Sequence, residues 1–191
     1  SLYVVIIADK CNMRRRIYGS LLKWKQERNG KTAVLVNGSR RVGKSYIVKK
    51  FAENEYRSNI IIDFNKAGKQ VRDLFDNYID DMDMFYTYLS SYANTVIYPR
   101  ESVLVLDEVQ LCPRARAAVK YLVEDGRCDI IETGSLVSIK KNVEGIVIPS
   151  EEEGLLLHPM DFEEFLWAMG NETLMPLVRR NFEKRCGMGA L

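Results

Sequence analysis

Histidine occurs once in the 191 residues and cysteine four times, at Cys11, Cys112, Cys128 and Cys186, with no CxxC pair. That scarcity argues against a zinc site, which needs clustered nitrogen and sulfur ligands, and against a disulfide framework; a reducing, cytoplasmic setting fits best. Long hydrophobic runs are missing too. The opening LYVVIIA is short, has no basic segment before it and is followed by Asp9-Lys10, which is wrong for a signal peptide or a membrane span. Residues 1–12 are therefore expected to be an N-terminal extension or added sequence, LYVVIIA a strand if native, and no membrane partner is expected. Charge of one sign is not in excess. Lys and Arg number 28 against 26 Asp and Glu, a balance that gives no reason by itself to expect nucleic acid. Basic residues do cluster locally, at Arg14-Arg15-Arg16, at Arg40-Arg41 and in RRNFEKR near the end, so a patch on DNA phosphate stays open.

What is present is a chain long enough for one domain with a small appendage. Ile17, Leu21 and Trp24 recur at helical spacing between Arg16 and Arg28, and Asn29-Gly30 ends that helix. TAVLV (32–36) is then a continuous β-branched run, suited to a strand covered on both faces of a parallel sheet. SYIVKKFAEN reads as a helix, NIIIDF (59–64) as a buried strand, and residues 70–92 as helical, with Val71, Leu74, Phe75 and Tyr78 on one side. SVLVLDEV (102–109), RARAAVKYLVED and CDIIETGS (128–135) continue the alternation as strand, helix, strand. Such a pattern predicts a wound α/β sheet flanked by helices. GIVIP and GLLLHP read as short strands around SEEE. Asp161 with Glu164 has the form of an N-cap and its acidic partner, Gly170 ends that helix, and a last helix runs towards Arg185.

Between the TAVLV strand and the next helix lies NGSRRVGKSY. Gly38, Ser39, Arg40, Arg41, Val42, Gly43, Lys44 and Ser45 match G-x-x-x-x-G-K-[ST] in full, in the strand-loop-helix context that the motif requires. Glycines let the backbone approach a phosphate closely and turn successive N–H groups inward, and the helix start adds its positive dipole end. Lys44 then reaches the β and γ phosphates of a nucleotide, the Ser45 hydroxyl ligates magnesium, and Tyr46 is counted with the loop as nucleotide-binding. A plain glycine turn is the alternative. Arg40 and Arg41 are expected to be solvated or packed on a neighbouring strand.

VLVLDEVQ ends an apolar strand with two adjacent carboxylates. At that strand end Asp107 is placed to hold magnesium together with Ser45, and Glu108 to orient and deprotonate an attacking water. NIIIDF lies in the chain between the two motifs and is read as an extra strand inserted between the loop strand and the acidic strand, the arrangement of ATPases of the additional-strand class. Guanine recognition would need Asn-Lys-x-Asp, and the chain has only NKAG (65–68). At the end of the fourth strand Thr133 and Ser135 flank Gly134. A hydroxyl there, Ser135 in the preferred assignment, could touch the γ phosphate or the water, or cap the next segment. His158 is expected to be a packed structural residue. Arg114 and Arg116 are ordinary surface arginines or act on a neighbouring subunit's nucleotide, and Ile17 with Tyr18 either packs or contacts adenine.

Taken together, IYGSLLKWK, LVNGSRRVGKSYIVKKFA, LVLDEVQLCPRARAAVKYL, IIETGSLVS and LHPMDFEEFLWAMG resemble the predicted AAA-superfamily ATPases of bacteria and archaea that carry a C-terminal domain of unknown function. The resemblance runs from Met13 to Gly170. Gln110 with Pro113-Arg114, and Pro159-Met160 with Phe162 and Glu164-Phe165, are particular to that group. It implies a P-loop NTPase sheet of the AAA-like class and an ATP- and Mg2+-binding core in which Gly38, Gly43, Lys44, Ser45, Asp107, Glu108 and Ser135 act. It also implies a core over 13–170, with 171–191 beginning a helical linker to a further domain. That domain would be driven by hydrolysis, and a homo-oligomer or DNA could be reached through it. A nucleotide-gated switch with little turnover is the alternative. In one place the chain departs from the group: it reads PSEEEG, with Glu151, Glu152 and Glu153, where members often have Gly followed by a basic residue.

Overall fold

The computed structural model describes residues 15–135 and 152–185. These fall into two compact units, Ile17 to His158 and a smaller one joining residues 15–16 to residues 159–185. LYVVIIA, Arg14, GIVIP and Glu151 lie outside the described residues.

In the larger unit five strands, β1 (Ala33–Gly38), β2 (Ser58–Asp63), β3 (Ser102–Asp107), β4 (Cys128–Gly134) and β5 (Glu152–Leu157), form one parallel sheet in the order β2-β3-β4-β1-β5. Every residue of β3 and β4 is buried. A strand covered by helices on both faces is mainly apolar, which is why β3 reads as a nearly unbroken run, while the polar residues of β4, Asp129, Glu132 and Thr133, are buried against partners. The two faces separate by parity, since successive side chains of a strand point opposite ways. Val103 and Val105 join Val34, Val36 and Ile131 under α1 (Arg16–Arg28) and α2 (Lys44–Glu55), around the fully buried Phe51. Leu104 and Leu106 join Ile60, Ile62 and Ile130 under α3 (Lys69–Asn77), α4 (Met82–Ala93) and α5 (Pro113–Asp125).

The strand order corrects one sequence reading. An additional strand does lie between the loop strand β1 and the acidic strand β3, but it is β4; NIIIDF forms β2 at the sheet edge, paired only with β3 among the described residues. The stretch 70–92 is likewise two helices rather than one. Asp81 breaks it by accepting a hydrogen bond from the Met84 N–H at 3.0 Å, an N-cap that starts α4 afresh. Among the described residues no helix is long and apolar enough to cross a membrane.

In the smaller unit, α6 (Phe162–Ala168) opens with the expected capping box between Asp161 and Glu164, and α7 (Leu174–Glu183) follows. Two of the clustered arginines are paired here. Arg15 meets Glu164 at 3.1 Å, and Arg16 meets Asp161 at 3.2 Å and also Glu163.

Arg116 overturns its sequence reading as a surface or neighbour-directed residue. It is 3% exposed, its guanidinium sits 2.6 Å from Glu132 on β4 and also pairs with Glu152 at the start of β5. Arg114, by contrast, is exposed and pairs with Asp76 at 3.3 Å. One buried cation thus faces two carboxylates, and burial pushes the Glu132 carboxyl up to about 7 despite the pull of Arg116. The folded chain then keeps a proton that the unfolded chain releases near the ordinary value of 4.5, so folding becomes less favourable as pH rises between those two values and level above them. Urea unfolding of the wild type should show a loss of no more than about 3 kcal/mol across that window, and Glu132→Gln should flatten it. A pH profile that is the same in both chains would remove Glu132 as its source.

Candidate functional site

β1 runs out at Gly38, where the chain passes so close to β5 that a Cβ would meet the Leu157 carbonyl oxygen at 2.3 Å. Only glycine fits there. At the far end of the loop Gly43 is the N-cap of α2 with φ 94, a conformation that a side chain strains. A glycine N-cap has no side chain with which to accept from the first-turn N–H groups, an arrangement suited to an anion such as phosphate at the helix start. Lys44 is 4% exposed and donates from Nζ to the carbonyls of Gly38 at 3.1 Å and Ser39 at 2.9 Å. The loop between them is solvent-facing: Ser39, Arg40 and Arg41 are exposed, Val42 is half-buried, and Tyr46 stands 37% exposed on the first turn of α2.

The side chain that follows the lysine reaches the acidic strand. Ser45 Oγ donates to Asp107 Oδ1 at 2.8 Å, and the same oxygen accepts a short hydrogen bond from Thr133 Oγ1 at the end of β4. Thr133 Oγ1 in turn accepts from the Glu108 backbone N–H at 3.0 Å. Glu108 itself takes φ 55, ψ 47, so the chain turns sharply straight after Asp107. These contacts gather Ser45, Asp107, Glu108 and Thr133 around the carboxyl ends of β1, β4 and β3.

The donor set suits magnesium. A hydroxyl and a carboxylate are hard oxygen ligands, and magnesium takes few of them from a protein, completing its shell with water and phosphate oxygens. Among the described residues no group of three His, Cys, Asp or Glu could hold a metal ion alone, so Ser45 and Asp107 would share it with the nucleotide.

Other sequence candidates fall elsewhere. Ser135 stands one residue past β4, half-buried, and it is Thr133 that touches the acidic pair. Parity does not separate Thr133 from Ser135; it is the register of β4 against β3, one step beyond the Leu106–Glu132 pair, that sets Thr133 beside Asp107. His158 is exposed just past Leu157, the last buried position of β5, rather than buried as expected. Ile17 is core, while Tyr18 donates to Glu55 at 2.6 Å and meets Phe51 edge-on, so both serve packing. Glu152 and Glu153 lie at the opposite end of β5 from the loop, beside Ala33 and Val34, where Glu153 meets Arg28 at 2.5 Å. Of the departure at PSEEEG, Glu152 and Glu153 are therefore at the far end of the strand from Lys44.

A parallel five-stranded sheet with a glycine-bounded loop on one strand, a carboxylate on another and a third strand between them defines a P-loop NTPase fold. The family model described as AAA domain matches residues 30–166, and the chain belongs to that family. This makes it a nucleotide-binding ATPase core of the AAA type. Among solved structures, that of C. elegans PCH-2 is similar at 15% identity with a TM-score of 0.39, a likeness too distant to add to the family match; it covers 87% of this chain and 44% of that one, so the chain spans less than half its length. No curated protein matches the chain.

Thr133→Val would take one donor from Asp107 and leave the Glu108 N–H without its acceptor. A loss of about 1–3 kcal/mol in unfolding free energy is expected by chemical denaturation, and an unchanged midpoint would deny Thr133 this role.

Proposed function

We propose that the chain binds ATP with magnesium and hydrolyses it where the ends of β1, β4 and β3 meet, and that in the longer protein this turnover moves a C-terminal domain. The observation that supports this most directly is the 2.8 Å contact between Ser45 Oγ and Asp107 Oδ1, which joins the first turn of the phosphate-loop helix to the end of β3, a strand that is not adjacent to the loop strand β1 in the sheet. When bound, the nucleotide supplies the phosphoryl group and magnesium offsets the charge on its oxygens.

In this reading the protein's own residues divide the work. Lys44 exchanges its two loop carbonyls for phosphate oxygens, and the amides from Gly38 to Tyr46 face the same anion. Ser45 and Asp107 hold the ion, with Thr133 fixing the carboxylate that does so. Glu108 accepts the proton of the attacking water, and Ser135 offers a hydroxyl to the transferred group. The missing Asn-Lys-x-Asp favours adenine over guanine nucleotides.

Titration calorimetry with ATP, with and without magnesium, should show binding that Lys44→Ala loses; equal affinity of the two chains would count against the site. Glu108→Gln should keep ATP affinity and lose turnover by a factor on the order of 10² to 10⁴. Tight binding by the wild type with almost no turnover would instead favour a nucleotide-gated switch.

A further inference from the structure

Directly after Glu108 comes a single 3-10 turn, Val109–Leu111, and it is unusually well tied down. The Leu111 N–H donates to the Glu108 carbonyl at 3.0 Å and the Cys112 N–H to the Val109 carbonyl at 2.9 Å. From α3, the Arg72 guanidinium donates to the Leu111 carbonyl and to the Phe64 carbonyl, both at 2.7 Å. The Phe64 N–H closes the circuit by donating to the Asp107 carbonyl at 3.0 Å. The turn is thereby fixed to the same strand end that carries the acidic pair.

The middle residue of this turn is Gln110, 9% exposed, and its Nε2 donates to Glu108 Oε2 at 2.5 Å. Burying an amide costs more than burying a hydrocarbon of the same size unless its hydrogen bonds compensate, so packing alone would be served better by Leu or Met at this position. A glutamate on a turn has three side-chain torsions to settle. An amide donor held by a rigid turn removes most of that freedom.

We propose that Gln110 is a positioning residue for Glu108: its amide fixes one carboxylate oxygen and leaves the other to take the proton of the attacking water. This rests on Glu108 being the general base. Gln110 touches neither nucleotide nor metal in this scheme; it acts only through the carboxylate, so its loss affects the reaction rate and leaves binding alone. A base displaced by about 1 Å from its working position can cost on the order of 10² in rate.

Gln110→Met keeps the volume and removes the donor. It should lower kcat by about ten- to a hundredfold with Mg-ATP affinity unchanged, and should cause no further loss in a Glu108→Gln background measured under single-turnover conditions. Gln110→Asn, which keeps the amide but is one methylene short, should fall in the same way and serves if the methionine variant does not fold. Apart from turnover, the side-chain amide resonances of Gln110 in the nucleotide-free chain should shift when Glu108 is replaced by alanine. Unmoved resonances would overturn the hydrogen bond itself. Wild-type kcat in Gln110→Met, or an equal loss in both backgrounds, would overturn the positioning role. A wild-type chain that binds ATP without turning it over would overturn the base assignment, and the role with it, whatever the resonances show.

Discussion

One carboxylate oxygen organises this site. Asp107 Oδ1 receives the hydroxyls of Ser45 and Thr133, and through them the ends of three strands and the first turn of α2 are held in one place. Neighbouring strands lie about 4.8 Å apart, so β1 and β3, with β4 between them, are separated by roughly 10 Å. No main-chain hydrogen bond spans that gap. It is bridged by side chains, with Thr133 on the intervening strand filling the middle. A sheet lacking β4 in this place would bring the loop and the acidic strand together by backbone pairing alone and would leave no position for a third hydroxyl.

The opposite face of the same sheet is held by charge. Arg116 on α5 pairs with Glu132 on β4 and Glu152 on β5, so a helix and two strands that are not neighbours share one guanidinium. Glu132 and Thr133 are consecutive on β4 and point to opposite faces, one towards the buried arginine and the other towards Asp107. A displacement of β4 along its axis would disturb both contacts at once. The buried charge therefore fixes the height of the strand on which the site's hydroxyl is carried, at the cost of a carboxyl that is reluctant to ionise.

The strands and the loop were legible because their signals are local. Unbroken apolar runs reported burial on both faces, and the glycine spacing of the phosphate loop reported a backbone shape. Strand order was not legible, since a run such as NIIIDF announces a strand but not its neighbours. Arg116 was misread on its charge, although its spacing from Val119 and Val123 puts it on the inward face of α5, and Glu132 sits in a strand that otherwise reads as core. Thr133 and Ser135 share one parity, so the sequence could not rank the two hydroxyls; the register of β4 against β3, which no local signal carries, sets Thr133 on Asp107. The break at Asp81 was hidden by a helical pattern that continues across it, and only the capping bond shows where the second helix begins.

Lys44 has one more consequence. Its ammonium is already satisfied by two carbonyls of its own loop, so any molecule entering must first compete with an internal ligand worth about 1 kcal/mol per hydrogen bond. A bare nucleoside has no anion to exchange for them and gains nothing from the cation, whereas a polyphosphate replaces both with stronger, charge-assisted bonds. If the loop holds a nucleotide as proposed, the lysine would be its own placeholder and the phosphate tail would be chosen before the base is read.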